Sequence, residues 1–211
     1  MPLHSITRRQ IALAIAGLGA ATLMPGALAV ATSADPAAQR IEGFYAVLLD
    51  AMKQAKQLGA KGRYDKLLPV ISSTFDVPGM ASVACGAAWS NMQPAQQAAV
   101  TDAFRKFMVA NYASRFDGYG GERFEVGAAA DQAGGKIVKT SLVQSNGKVV
   151  SLNYLMKNGA AGWQVGDVYL DGTISELAGR RAEFSSVLKS GGADALVKAL
   201  HAKSDKMLAS G

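Results

Sequence analysis

The stretch "KIVKTSLVQSNGKVVSLNYLM", Lys136–Met156, decides the fold. Two runs rich in β-branched and apolar residues flank Asn146-Gly147, a dipeptide that favours the two-residue turn of a β-hairpin. In the second run Val150, Leu152, Tyr154 and Met156 share one side of an extended chain and Val149, Ser151, Asn153 and Leu155 the other, because successive side chains of a strand point to opposite faces. The first set is the more apolar, so that face is expected to pack beneath helices. Upstream "RFEVGAA" and downstream "WQVGDVYL" have the same character. Four short strands in chain order predict an antiparallel meander.

On either side of this region the apolar spacing becomes three and four. Ile41, Phe44, Tyr45, Leu48, Leu49 and Met52 give one apolar face to a helix from about Pro36 to Leu58. A short helix over "RYDKLLPVISSTF" is expected to break near Pro69. Asp76 offers an N-cap, with Pro78 in the first turn, to the small-residue helix of "FDVPGMASVACGAAW". The longest helix is expected from Pro94 to about Phe116, with the stripe Val100, Phe104, Met108, Tyr112 and Phe116, and Ala103 and Phe107 beside it. Gly118, Gly120 and Gly121 end it. After the strands, two helices are expected, from about Ser175 to Lys189 and from Ala193 to about Leu208, parted by Gly191-Gly192. The resulting class is α+β: a four-stranded antiparallel twisted sheet with several helices packed on one face.

Composition narrows the function classes. The chain has 211 residues, 49% hydrophobic but only 7% aromatic, which suits one domain whose core is built from Ala, Val, Leu and Met. Its net charge of +6 is spread along the chain without a Lys/Arg block, which argues against a nucleic-acid partner. Arg8 and Arg9, the apolar run Ile11–Met24 and the Ala27-x-Ala29 pattern read as a cleavable signal over residues 1–31, leaving one domain over 32–211 in the bacterial periplasm. Thr7–Ile11 also resembles a twin-arginine signal, which leaves two export routes open. Cys85 stands alone among Ala, Gly and Val and reads as a small buried side chain. His201 is the single histidine after residue 31, so the chain has no Cys/His metal cluster, and no cofactor is expected.

The segment "WQVGDVYLDGTISELAGRRAEF", Trp163–Phe184, concentrates the polar chemistry. As an active site it would pair Asp167 with Glu176 or Glu183 for acid–base work, with Arg181 stabilising negative charge. As scaffold it makes a turn at Asp171-Gly172, a helix cap at Thr173 or Ser175, and a buried face from Ile174, Leu177, Phe184 and Leu188. Arg181 falls on that apolar stripe, so its guanidinium either emerges at the stripe's edge or meets a carboxylate inside, and Asp167, on the strand that leads into the same helix, is the expected partner in a structural ion pair. No catalytic residue is assigned.

These residues also carry a resemblance. Gly162-Trp163, Asp167-Val168, Gly172, Ile174-Ser175, Arg181-x-Glu183-Phe184 and Gly191-Gly192, with "FYAVLLDAMK", "FDVPGMASVACGAAW" and "QQAAVTDAFRKFMVANYASRF" before them, are similar in order and spacing to the MlaC-type periplasmic lipid carriers, the toluene-tolerance family. "KGRYDKLLPVISSTFD", "SRFDGYGGERFEV" and "YLDGTISELAGRRAEF" resemble its hopanoid-associated branch, known as HpnM. The resemblance implies a deep apolar cavity and non-catalytic shuttling of a hopanoid or phospholipid between inner and outer membranes. It also implies an inner-membrane lipid transporter complex and an outer-membrane acceptor as partners, with transient membrane-surface contact. The expected lining is Phe44, Leu48, Phe104, Phe107, Met108 and Tyr112 from the helices, and Val126, Leu142, Leu152, Tyr154, Met156 and Val165 from the strands. Each acyl methylene exposed to water costs about 0.8 kcal/mol, so a carrier must cover many of them. Two other readings stand beside this one: a cargo-free adaptor of an envelope complex, and a hydrolase using Asp167 and Glu183.

Overall fold

Helix α1 (Pro36–Lys53) opens the described chain, which runs from residue 35 to 210 in this computed structural model. The signal segment expected over residues 1–31 lies outside the described residues. Asp35 caps α1 by accepting from the Ala37 N–H at 2.8 Å, and Pro36 fits the first turn, where its missing donor is not needed. Of the stripe foreseen by spacing, Ile41, Phe44, Tyr45, Leu48 and Met52 are buried and Leu49, at its edge, is half-buried.

Helix α2 (Ala55–Thr74) follows after a single residue, so the expected break near Pro69 is absent. Pro69 and Asp65, whose carbonyl loses its partner to the proline, both lie on the exposed face, where water can take the place of the missing N–H. The irregularity falls instead at Gly59, with φ 60° and ψ −178°, a conformation nearly closed to other residues. Asp76 caps α3 (Val77–Cys85) by accepting from Gly79 N–H at 3.0 Å. A short 3-10 helix, Gly86–Asn91, leads to α4 (Pro94–Arg115), whose start is fixed by the Gln96 side chain accepting from Gln93 N–H at 2.9 Å.

The strands are β1 (Arg123–Gln132), β2 (Gly135–Val143), β3 (Val149–Gly159) and β4 (Gly162–Leu170), paired in chain order and antiparallel. A fifth, β5 (Ile174–Ser175), adds an edge that the four-strand expectation lacked. It is two residues long, too short for a period-2 pattern to declare itself. The β2–β3 connection also differs from the expected two-residue turn. Gln144 N–H donates to Lys148 O and Gly147 N–H to Gln144 O, with Gly147 at φ 83°. This is a three-residue loop in which glycine takes the left-handed position after the turn.

Across the sheet Thr140 faces Leu152, Val138 faces Tyr154 and Tyr154 faces Val168, which sets one apolar face beneath the helices. Helix α1 crosses that face, meeting β1, β2 and β4, and Phe75 at the end of α2 bridges to Val165. Helix α5 (Glu176–Ala209) closes the fold; Gly192, at φ 67° and ψ −162°, kinks it into the two segments that Gly191-Gly192 foretold. Tyr154, Phe44, Phe75, Phe104, Phe184 and Met156 are among the largest fully buried side chains.

Candidate functional site

Between α4, the start of α5 and the inner face of the sheet lies an apolar cavity of about 120 Å³. Helix α4 contributes Phe104, Phe107, Met108 and Tyr112; α1 contributes Tyr45 and Leu48; the sheet contributes Leu152, Tyr154, Val168 and Leu170. Met80 of α3, Phe75 and Leu177 complete the greasy part. Of the residues expected from the sequence, Leu48, Phe104, Phe107, Met108, Tyr112, Leu152 and Tyr154 therefore share this wall.

The other five lie elsewhere. Phe44 stands one layer behind, meeting Phe75 and Tyr112 edge-on at 5.3 and 5.4 Å between ring centroids. Met156 and Val165 are fully buried in the core beyond the cavity's end. Val126 and Leu142 are half-buried further along the sheet. Face parity assigns a side to the four strand residues, but it carries no information on how far along the strand the hollow extends. Tyr45 could have been found, since it belongs to the α1 stripe that spacing had already oriented.

One polar thread runs through this wall. Tyr45 Oη lies 2.6 Å from Thr140 Oγ1 and 3.0 Å from Tyr154 Oη, and Thr140 donates onward to the Leu152 carbonyl. Each buried hydroxyl thus has a partner, which keeps the desolvation cost small. Burial pushes the Tyr45 phenol up to about 12 and raises those of Tyr112 and Tyr154 as well, so the wall is uncharged at neutral pH.

The cavity becomes polar at one end, where Asn111, Arg115, Glu176 and Arg180 line it. Arg180 is held by Glu183 at 3.1 Å and Glu176 at 3.6 Å, and its guanidinium sits 4.9 Å from the Phe107 ring centre. Glu183 also pairs with Lys203.

The expected Asp167–Arg181 pair does not form. Asp167 is buried and its carboxylate is already taken: it accepts from Ser175 Oγ at 2.6 Å, Val168 N–H at 2.7 Å and Leu177 N–H at 3.2 Å. An anion at the start of α5 satisfies free helix N–H groups and needs no guanidinium. Arg181 is exposed, with its guanidinium over Gly86, where a β-carbon would come within 2.9 Å of Nε. The neighbouring Arg180 is the one that turns toward the cavity, where Glu176, Glu183 and the Phe107 ring hold it. Asp167 and Glu183 are committed to separate sets of partners, so the arrangement gives them no shared reacting centre. Cys85 is buried, and burial pushes its thiol up to about 11, away from the reactive thiolate. Among the described residues no helix is long and apolar enough to cross a membrane, and no group of three His, Cys, Asp or Glu side chains could hold a metal ion.

Comparison with known proteins adds two findings. The family model described as MlaC protein matches residues 44–202, more than half of the chain. A crystallised phospholipid-binding protein from Ralstonia solanacearum, determined in complex with a phospholipid, superposes with a TM-score of 0.71 at 20% identity, covering 81% of this chain and 98% of that one. No curated protein sequence matches.

Proposed function

Because the chain belongs to the MlaC protein family, we propose that it is a non-catalytic carrier that shelters the acyl chains of a phospholipid in the cavity between α4 and the sheet. The observation that carries this reading is the cavity itself: a continuous wall of Phe, Met, Leu, Tyr and Val, uncharged along its length and polar at one end. Such a wall offers apolar cover without the fixed polar constellation that chemistry requires. The related Ralstonia solanacearum structure holds a phospholipid, which supports that cargo class for this chain.

The volume sets a condition. Pockets for ligands of drug size run to ~300–1,000 Å³, and the cavity is about 120 Å³, so a two-chain lipid enters only if the walls part. Met80 and Met108 are unbranched and adapt their shape, and the Gly192 kink separates the part of α5 on the cavity from the part that follows. We place the carrier in the periplasm, moving lipid between the inner and outer membranes, with an inner-membrane transporter and an outer-membrane acceptor as partners. The wording shared with the HpnM branch favours a hopanoid as an alternative cargo. The small volume gives the cargo-free adaptor reading its one supporting observation.

Mass spectrometry of organic extracts from protein purified from its native periplasm separates these readings. A stoichiometric phospholipid is expected; a hopanoid would redirect the cargo assignment. Met108→Asp or Leu152→Asp, which place a carboxylate in the apolar wall, should lower occupancy several-fold. Folded protein that carries no lipid, and acquires none from labelled liposomes, would leave the adaptor reading in its place.

A further inference from the structure

A second hollow adjoins the polar end of the cavity. Phe107, Asn111, Arg115 and Arg180 line both, and Ser114 of α4 with Lys203, Lys206, Met207 and Ser210 complete the second. The two spaces thus adjoin, parted by one row of side chains, with the apolar wall on the inner side and the basic one on the outer.

Four cations, Arg115, Arg180, Lys203 and Lys206, meet in this hollow. The carboxylates that approach them are Glu176 and Glu183, and both are used on Arg180 and Lys203. Among the ion pairs of the described residues, none involves Arg115 or Lys206. Asp205, beside Lys206 in sequence, is spent on Lys106 at 2.7 Å. Two positive charges therefore remain over beside an Arg that its carboxylates and the Phe107 ring hold in place. Asn111 and Ser114 add neutral hydrogen-bonding groups at the same rim.

We propose that this basic hollow is a phosphate subsite, taking the anionic phosphodiester of the same lipid whose chains lie in the cavity. The inference rests on the carrier reading and adds to it the residues that hold the phosphate. Arg115 and Lys206 supply charge-assisted hydrogen bonds to the phosphate oxygens, with Arg180 positioned where cavity and hollow meet. A lipid with the same chains and no phosphate gains nothing here, so the subsite selects phospholipid over diacylglycerol.

The test compares the wild-type chain with Lys206→Gln and Arg115→Gln/Lys206→Gln, both at exposed positions whose replacement leaves the core untouched. Each protein is equilibrated with phosphatidylcholine vesicles doped with either labelled phosphatidylglycerol or labelled diacylglycerol of matched chains, and the lipid held is counted after separation. The ratio of phosphatidylglycerol to diacylglycerol held should fall about tenfold in the double variant, the value of roughly one charge-assisted hydrogen bond. An unaltered ratio overturns the proposal while leaving the carrier reading standing. If the variants slow loading but reach the wild-type ratio at equilibrium, the cations serve membrane encounter and the subsite is refuted. Inorganic phosphate is titrated in a parallel arm: saturable binding to the lipid-free protein with no effect on the phosphatidylglycerol held would assign the hollow to a free anion instead. Wild-type protein that holds neither lipid refutes both readings together.

Discussion

Replacing Asp167 by Ala removes the tie between β4 and the start of α5. Two of its contacts cross from strand to helix, Ser175 Oγ at 2.6 Å and Leu177 N–H at 3.2 Å. Hydrogen bonds to a charged acceptor contribute about 1.5–3 kcal/mol each. The long Leu177 bond belongs at the bottom of that range, and Ser175 keeps its separate role of accepting from Ala178 N–H at 3.0 Å. A loss of about 3 kcal/mol is therefore expected for Asp167→Ala. Arg181→Ala, at an exposed side chain with no ion pair among the described residues, should cost under about 0.5 kcal/mol. With a urea slope of about 2 kcal/mol per molar, the first variant lowers the midpoint by about 1.5 M and the second hardly moves it. Equilibrium urea unfolding of both single variants and the double variant reads all three quantities. A coupling energy above about 1 kcal/mol between the two positions would refute the reasoning, since it would restore the direct pair that the geometry denies.

Gly192→Ala should cost about 1–3 kcal/mol, because φ 67° with ψ −162° is a region that glycine alone enters freely; thermal melts check it, and an unshifted midpoint would mean the kink straightens without penalty. Tyr45→Phe leaves the Thr140 and Tyr154 hydroxyls short of a partner and should lose about 1–2 kcal/mol by urea unfolding. Cys85 should react with a thiol reagent far more slowly in the folded chain than in urea, since burial both shields it and holds it protonated. Burial moves the Cys85 thiol from 9.0 to about 11 and the Tyr45 phenol from 10.0 to about 12. Both are neutral when protonated, so the unfolded chain releases these protons first; their contribution is whole below about pH 9 and declines as pH climbs toward 12, which unfolding free energies measured from pH 8 upward should show.

The helices were legible because their apolar faces repeat over many turns: α4 was expected from Pro94 to about Phe116 and ends at Arg115. The inner face of the sheet was legible for the same reason, since Leu152, Tyr154 and Met156 alternate with Ser151, Asn153 and Leu155, the less apolar set. What stayed hidden depends on contacts between distant segments. Arg63 reads as a surface residue, yet it is buried, donating to the Ala113 carbonyl near the end of α4 at 2.8 Å and to the Ala55 carbonyl at 3.1 Å. Its long side chain fills a gap that only the packed helices create. The choice between Arg180 and Arg181 was likewise open in the sequence, since both lie three or four residues from Leu177 and Phe184, and the partners Glu176, Glu183 and Phe107 of Arg180 appear only in the packed chain. The extent of the cavity depends on which side chains fail to meet, and no periodicity encodes that.

Helix α1 has a consequence for the order of folding. Its inward face is covered by strands that come about a hundred residues later: Arg40 donates to the Trp163 carbonyl, Tyr45 reaches Thr140 and Tyr154, and Lys136 pairs with Asp35. The four hairpin-linked strands can zip from near neighbours, and Phe44 can already meet Phe75 and Tyr112, but the sheet-facing side of α1 must wait for β4 before its cover is complete. A chain emerging N-terminus first therefore holds part of an apolar helix face uncovered until about four-fifths of it has appeared. During that interval its need is for a holding chaperone rather than for a faster turn, and a truncation before β4 should aggregate through α1.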